Sequence, residues 1–275
     1  MRIFKGNIDL FRDLITLLTK HRYLTIEMAK QEIFGRFAGQ IFGGLWAIGH
    51  PLFLMLLYIF IFVGVFKQKL GGTIEMPRDF TTYLLAGLIP WLAVQESMSK
   101  SVSVIISHAN LVKQVVFPIE VLPVKSVIAA TFTQLVALSM LLCYSIVASK
   151  SVPWTYGLLP IVLLMQIMMM VGIAYVLASV GTYFRDLKDV VQIFSTAGVF
   201  VIPAFYLPSQ VPEIFRPLLY LNPFSHMVWV YQDVLYFGRI EHSSSWAIFF
   251  VLSCSSFILG FCLFRKLKVM FGNVL

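Results

Sequence analysis

Long runs without charge alternate with short, charged, proline-broken segments. No Asp, Glu, Lys or Arg occurs in residues 37–66, 126–149, 151–184, 190–212 or 242–264. A helix needs roughly 20 apolar residues to cross the hydrocarbon of a bilayer, and each run is that long. Residues 80–105 form a sixth run, interrupted by Glu96 and Lys100. The pattern predicts an all-α membrane protein with six transmembrane helices, at about 41–66, 80–105, 122–148, 156–183, 190–203 and 245–264. Ahead of them, residues 8–36 set apolar positions (Leu10, Leu14, Leu17) at helical spacing opposite Asp9, Arg12, Asp13 and Lys20. That is an amphipathic helix, lying in the membrane surface or packed on protein. Residues 204–241 are aromatic but broken by Pro208, Pro212, Pro217 and Pro223. Short re-entrant or outer-side helices fit there, because irregular backbone at membrane depth must be covered by protein or line a wet cavity.

Composition agrees with lipid as the solvent. The chain is 59% hydrophobic and 12% charged, with mean hydropathy +0.86, whereas soluble domains carry about 25% charged residues. The net charge of +8 is therefore read through the positive-inside rule and not as a nucleic-acid footprint. Fifteen of the 21 Lys and Arg residues lie in 1–40, in the segments between spans two and three and between spans four and five, and after span six. Both termini are expected in the cytoplasm. The three cysteines fall in apolar runs and offer no disulfide framework. No cleavable leader is expected, and 1–275 reads as one membrane domain: 1–40 amphipathic, 41–264 the six-span core, 265–275 a tail.

The motifs of covalent chemistry are absent. There is no GxxxxGK[ST] phosphate loop, no HExxH or Cys/His cluster and no GxSxG elbow. The chain is expected to have no catalytic residues, metal or bound cofactor. Acids are almost missing from span interiors, unlike ion-driven carriers. Glu96 and Lys100 sit at i, i+4 in the favourable order, as an ion pair at a pore mouth or subunit interface, or as a structural pair at the water boundary. His50 precedes Pro51 at a helix kink, and a structural hydrogen-bonding role fits it better than a proton site. Aromatics are abundant (25 Phe, 11 Tyr, 5 Trp). Most suit lipid-facing and belt positions. Tyr58, Phe62, Trp91, Tyr175, Tyr183, Phe205 and Tyr206 are the candidates for lining a path along which sugar rings slide.

Between spans two and three lies ISHANLVKQVVFPIEVLP (106–123). On a helix at 100° per residue, Leu111, Val112, Val115 and Val116 share one face. Asn110, Lys113, Gln114 and Phe117 share the other. Pro118 stops the helix. The exposed face suits a protein partner or an ordinary surface helix closing a hairpin.

LLAGLIPWLAVQESMSKSVSVIISHANLVKQVVFPIEVLP (84–123) resembles permease subunits of polysaccharide-exporting ATP-binding-cassette transporters. GLWAIGHPLFLMLLYIFIFVGVF (44–66), YFRDLKDVV (183–191) and VPEIFRPLLYLNPFSHMVWVYQDVL (211–235) resemble the same family, in the same order. The resemblance implies a homodimer joined to two cytoplasmic ATPase subunits, which hold the ATP and magnesium. It implies export of a lipid-linked polysaccharide such as an O antigen across the inner membrane, with wall teichoic acid or capsule as alternative cargo. It makes 107–118 a cytoplasmic coupling helix that docks on the ATPase through Asn110, Lys113, Gln114 and Phe117. It also makes the N-terminal helix a frame of the substrate entrance, and 204–241 an outer gate. The rival classes are a membrane-embedded glycosyl- or acyltransferase and a self-contained channel or carrier.

Overall fold

The computed structural model describes residues 21–35, 39–65, 78–114 and 117–274. Among these every regular element is helical. The longer or functionally placed α-helices are α1 (Arg22–Gly35), α2 (Trp46–Ile59), α3 (Phe80–Ser101), α4 (Ala109–Gln114), α5 (Val121–Ser149), α6 (Leu159–Tyr183), α7 (Leu187–Val201), α8 (Arg216–Leu221), α9 (Pro223–Gln232) and α10 (Ser243–Lys268).

Three stretches, Val121–Ser149, Trp154–Tyr183 and Ser243–Lys268, are long and apolar enough to cross a membrane. The other three expected spans differ in kind. The first shortens to α2. A turn at Gly43 with φ +46 precedes it, and a wide turn over Phe60–Val65 follows. The second is α3, continuous for 22 residues, with most of its side chains buried on all sides. It is the central post, so Glu96 and Lys100 lower its apolarity without exposing it to lipid. The fifth, α7, has 15 residues and ends at Val201, beside Pro203.

Caps explain several boundaries. The Asp79 carboxylate accepts from the Thr82 amide at 3.3 Å and the Thr82 hydroxyl at 2.7 Å, fixing the start of α3. α5 closes on Lys150 with φ 50, a left-handed C-cap. Arg78 lies just before α3. Its Nη1 donates to Ser145 Oγ (2.9 Å), Tyr156 Oη (2.7 Å) and the Leu235 carbonyl (2.8 Å), tying four segments together.

Of the segment expected to be an amphipathic helix, residues 22–35 are helical as α1; residues 8–20 and 36 lie outside the described ones. Thr25 and Ala29 are buried, and α1 packs along α5. One face of α1 is thus covered by protein.

α6 and α10 form the most extensive helix pair, because small residues let their backbones touch. A Cβ on Gly172 would lie 2.5 Å from Ser256 Oγ and closer still to the Ser256 carbonyl. One on Gly260 would meet the Gly172 backbone, its Cα at 2.8 Å. Such small-residue seams are the usual means of close helix association in lipid.

The proline-rich stretch folds back into the protein. α9 is buried from Phe224 to Gln232 and packs on α3 and α10. Asp233, at its end, is fully buried. It accepts from the His242 amide (3.0 Å), His242 Nδ1 (2.8 Å) and Trp246 Nε1 (3.0 Å). Asp233→Ala strands these donors. A buried unmet donor costs about 1–3 kcal/mol, so the variant is expected to lose roughly 3 kcal/mol, read as a lowered Tm in detergent. An unchanged Tm would remove the carboxylate from the fold's essential ties.

Candidate functional site

Two cavities meet at the Lys100 end of α3. The first, about 400 Å³, lies among α2, α3, α5 and α7. Pro51, Leu54, Met55, Ile89 and Leu92 give it apolar walls, while His50, Gln95, Glu96, Ser99, Lys100, Thr133, Gln134 and Gln192 bring polar groups. The second, about 490 Å³, lies between α1, the turn after α3, and the start of α5. Glu32, Lys100, Ser103, Ser107, His108, Lys125 and Ser126 are in its lining.

An ion network separates them. Glu96 and Lys100 form the expected pair at 2.9 Å, as their i, i+4 spacing on α3 requires. Lys100 also lies 3.4 Å from one oxygen of Glu32. The other Glu32 oxygen lies 3.3 Å from Lys125, whose side chain is only 7% exposed. His108 Nδ1 is 2.9 Å from the Val104 carbonyl, so that nitrogen carries the proton. Nε2 is then free to accept from Lys125 at 3.0 Å. A buried ammonium needs such partners. Glu32, His108, Lys125 and Ser126 were not legible as a site from sequence. Their one signal was charge at the end of an apolar run.

The α4 segment presents Asn110 and Lys113 to solvent, with Leu111 exposed beside them and Val112 half-buried. The described part of the helix runs to Gln114, whose side chain lies outside the described set, as do residues 115 and 116. Phe117 is half-buried and packs against the core.

The aromatic candidates separate into two groups. Trp91 is buried at 1% exposure against Phe224 and Phe194, its ring filling the space left by Gly198. Tyr175 is buried against Phe261 and Phe264 and donates to the Glu120 carbonyl. Both are enclosed among neighbouring helices of the subunit. Periodicity cannot separate a ring facing a neighbouring helix from one facing a channel. Tyr183 is half-buried beside Phe271 and donates to Leu267. Tyr58 and Phe205 come together, and Tyr206 is next in sequence to Phe205. Tyr58 stacks on Phe205 at 5.9 Å, and Tyr206 donates to the Phe200 carbonyl at 3.1 Å. The Phe62 side chain lies outside the described set.

A further polar knot sits deep in the bundle. Gln134 Nε2 donates to Gln166 Oε1 (2.7 Å) and Tyr231 Oη (3.0 Å). Tyr231 also donates to Gln166, whose Nε2 donates to the Pro90 carbonyl (3.0 Å). The signal for it was a lone glutamine inside each of two apolar runs.

These walls suit an amphiphile, apolar along one side and hydrogen-bonding or charged on the other. No three His, Cys, Asp or Glu residues are grouped as metal ligands among the described residues.

A family model described as "ABC-2 type transporter" matches residues 23–236. The chain is 26% identical over 254 residues to "O-antigen export system permease protein RfbA" of Klebsiella pneumoniae, covering 92% of this chain and 95% of that protein. A protein of the same description from Myxococcus xanthus is 29% identical over 229 residues, 82% of this chain and 85% of its own length. "Polysialic acid transport protein KpsM" of Escherichia coli is 23% identical over 237 residues, 86% and 90% of the two chains.

Proposed function

The chain belongs to the ABC-2 type transporter family, and from that premise we propose that it is the permease subunit of an ATP-driven exporter of lipid-linked polysaccharide, an O antigen first of all. The observation that carries the reading is near full-length similarity to O-antigen export permeases, on a helical chain with three long apolar stretches. The similarity to a polysialic acid transport protein favours capsular polysaccharide as the second cargo.

In this reading the subunit crosses the inner membrane six times, with α2, α3 and α7 completing the count, and both termini are cytoplasmic. Two copies pair, and two cytoplasmic ATPases supply ATP and magnesium chemistry. The Asn110–Lys113 surface of α4 is the docking face. Because α4 is linked to α5 through His108 and Lys125, a push on it reaches the bundle through a stiff side-chain contact. The packed interior then switches between discrete arrangements. α1 frames the substrate entrance and 204–241 the outer gate.

Purification of the tagged chain in mild detergent is the direct test. The expected result is an ATPase at equal stoichiometry. Its absence from a folded, monodisperse preparation would favour a self-contained channel or an enzyme. Deletion is expected to trap finished lipid-linked glycan inside the cell, and a halt in glycan assembly would instead support a transferase. Tags at either terminus are expected to resist external protease in intact cells. Cleavage at both would invert the topology.

A further inference from the structure

The second cavity holds two cations whose only described carboxylate between them comes from another helix. Lys100 belongs to α3 and Lys125 to α5. Glu32 belongs to α1, and places one oxygen on each lysine at 3.4 and 3.3 Å. With Glu96 the four charges balance, but only while α1 is seated. Lys125 is buried, so it cannot exchange Glu32 for bulk water at low cost. Ser126, next in sequence, is among the residues that line the cavity, and its hydroxyl is buried without a hydrogen-bond partner among the described residues. Buried hydroxyls are ordinarily satisfied. Ser103 and Ser107 bring further hydroxyls to the same 490 Å³ space.

We propose that Lys100, Lys125 and Ser126 form a phosphate site, and that Glu32 is a resident stand-in displaced by the phosphate of a lipid. A carboxylate bridging two ammonium groups has the charge and the paired oxygens of a phosphate edge. A phosphate has further oxygens, which the two oxygens of Glu32 lack, and one of these meets Ser126. Displacement frees the charged tie of α1 to α3 and α5, so an occupied site and a seated α1 exclude each other. The cavity opens among α1, α4 and the first turn of α5, where a headgroup arrives from the membrane boundary. This extends the proposed function, since the cargo there is lipid-linked. The phosphate could equally belong to a bulk anionic phospholipid, and the experiment separates the two.

The full chain in phosphatidylcholine nanodiscs is titrated with a polyprenyl pyrophosphate, phosphatidylglycerol, or inorganic pyrophosphate, and bound ligand is counted by native mass spectrometry. Glu32→Gln is expected to tighten binding at least fivefold, because it removes the competitor. Lys100→Gln is expected to weaken it at least tenfold. Lys125→Gln leaves Glu32 poorly paired, so the double variant Glu32→Gln/Lys125→Gln, which keeps the charge balanced, is the folded comparison. It is expected to bind no better than one tenth as well as Glu32→Gln alone. Preference for the polyprenyl or the glycerol lipid identifies the source, and either supports the site. Weaker binding in Glu32→Gln, or binding of every probe indifferent to the lysine variants, overturns it. ATPase co-purification is read on the same samples. A retained ATPase without phosphate binding removes this site and leaves the proposed function intact. Phosphate binding without an ATPase does the reverse.

Discussion

Replacing Gly172 with leucine is expected to leave almost no folded protein to extract from the membrane. The Cβ alone would fall 2.5 Å from Ser256 Oγ and nearer still to the Ser256 carbonyl. The obstacle is backbone on the opposing helix, so no rotamer change relieves it. Overpacking a core typically costs 1–3 kcal/mol and sometimes more. Here the added group also parts α6 from α10 along their longest shared seam, and about 3 kcal/mol is a lower bound. Gly260→Leu, on the other wall of the seam, is expected to behave alike. Gly157 is the control, because nothing lies within 4 Å of its would-be Cβ. Gly157→Ala is expected to stay within about 0.5 kcal/mol of the parent, as surface changes do. Size-exclusion and thermal unfolding in detergent give the readout. A monodisperse Gly172→Leu protein with the parental Tm would show that the two helices separate freely.

The second large effect is on function without stability. Asn110→Ala with Lys113→Glu removes a hydrogen-bonding group and inverts a charge on the exposed face of α4. Interface anchors are worth at least about 2 kcal/mol when lost, some 30-fold in binding. Export is expected to fall at least about tenfold and ATPase co-purification with it, while Tm is unchanged. Phe117→Ala is expected to give the opposite split. Its ring is half-buried against the core, so Tm falls by the loss of packed area. Full export by the Asn110/Lys113 variant would move the docking surface away from α4.

The ends of the long helices were legible because charge and proline mark where apolar runs stop. Val121–Ser149 and Ser243–Lys268 fall within a few residues of their expected bounds. The Glu96–Lys100 pair was legible because it is local. Glu32, which completes it, is 64 residues before Glu96 in the sequence, and only the packing of α1 on α5 brings it there. The small-residue seam had half a signature, Ser256 and Gly260 four residues apart. Nothing in that spacing named α6 as the partner. The packing partners of Trp91 and Tyr175 were illegible for a related reason. In a chain where lipid faces and protein faces are both apolar, hydrophobicity marks burial but not the neighbour.

Arg78 and Lys100 stand at opposite ends of α3, about 33 Å apart at 1.5 Å per residue. Arg78 is held by neutral oxygens from α5, the turn before α6, and the chain after α9. No counter-charge has to leave for that knot to persist. At the far end the ties are ion pairs, which another charged group can exchange. The post therefore has a welded end and a latched end. Rearrangement of the bundle would pivot about Arg78 and grow in amplitude toward Lys100, so a spin-label pair across the first cavity is the place to see it and a pair beside Tyr156 is the place to see nothing.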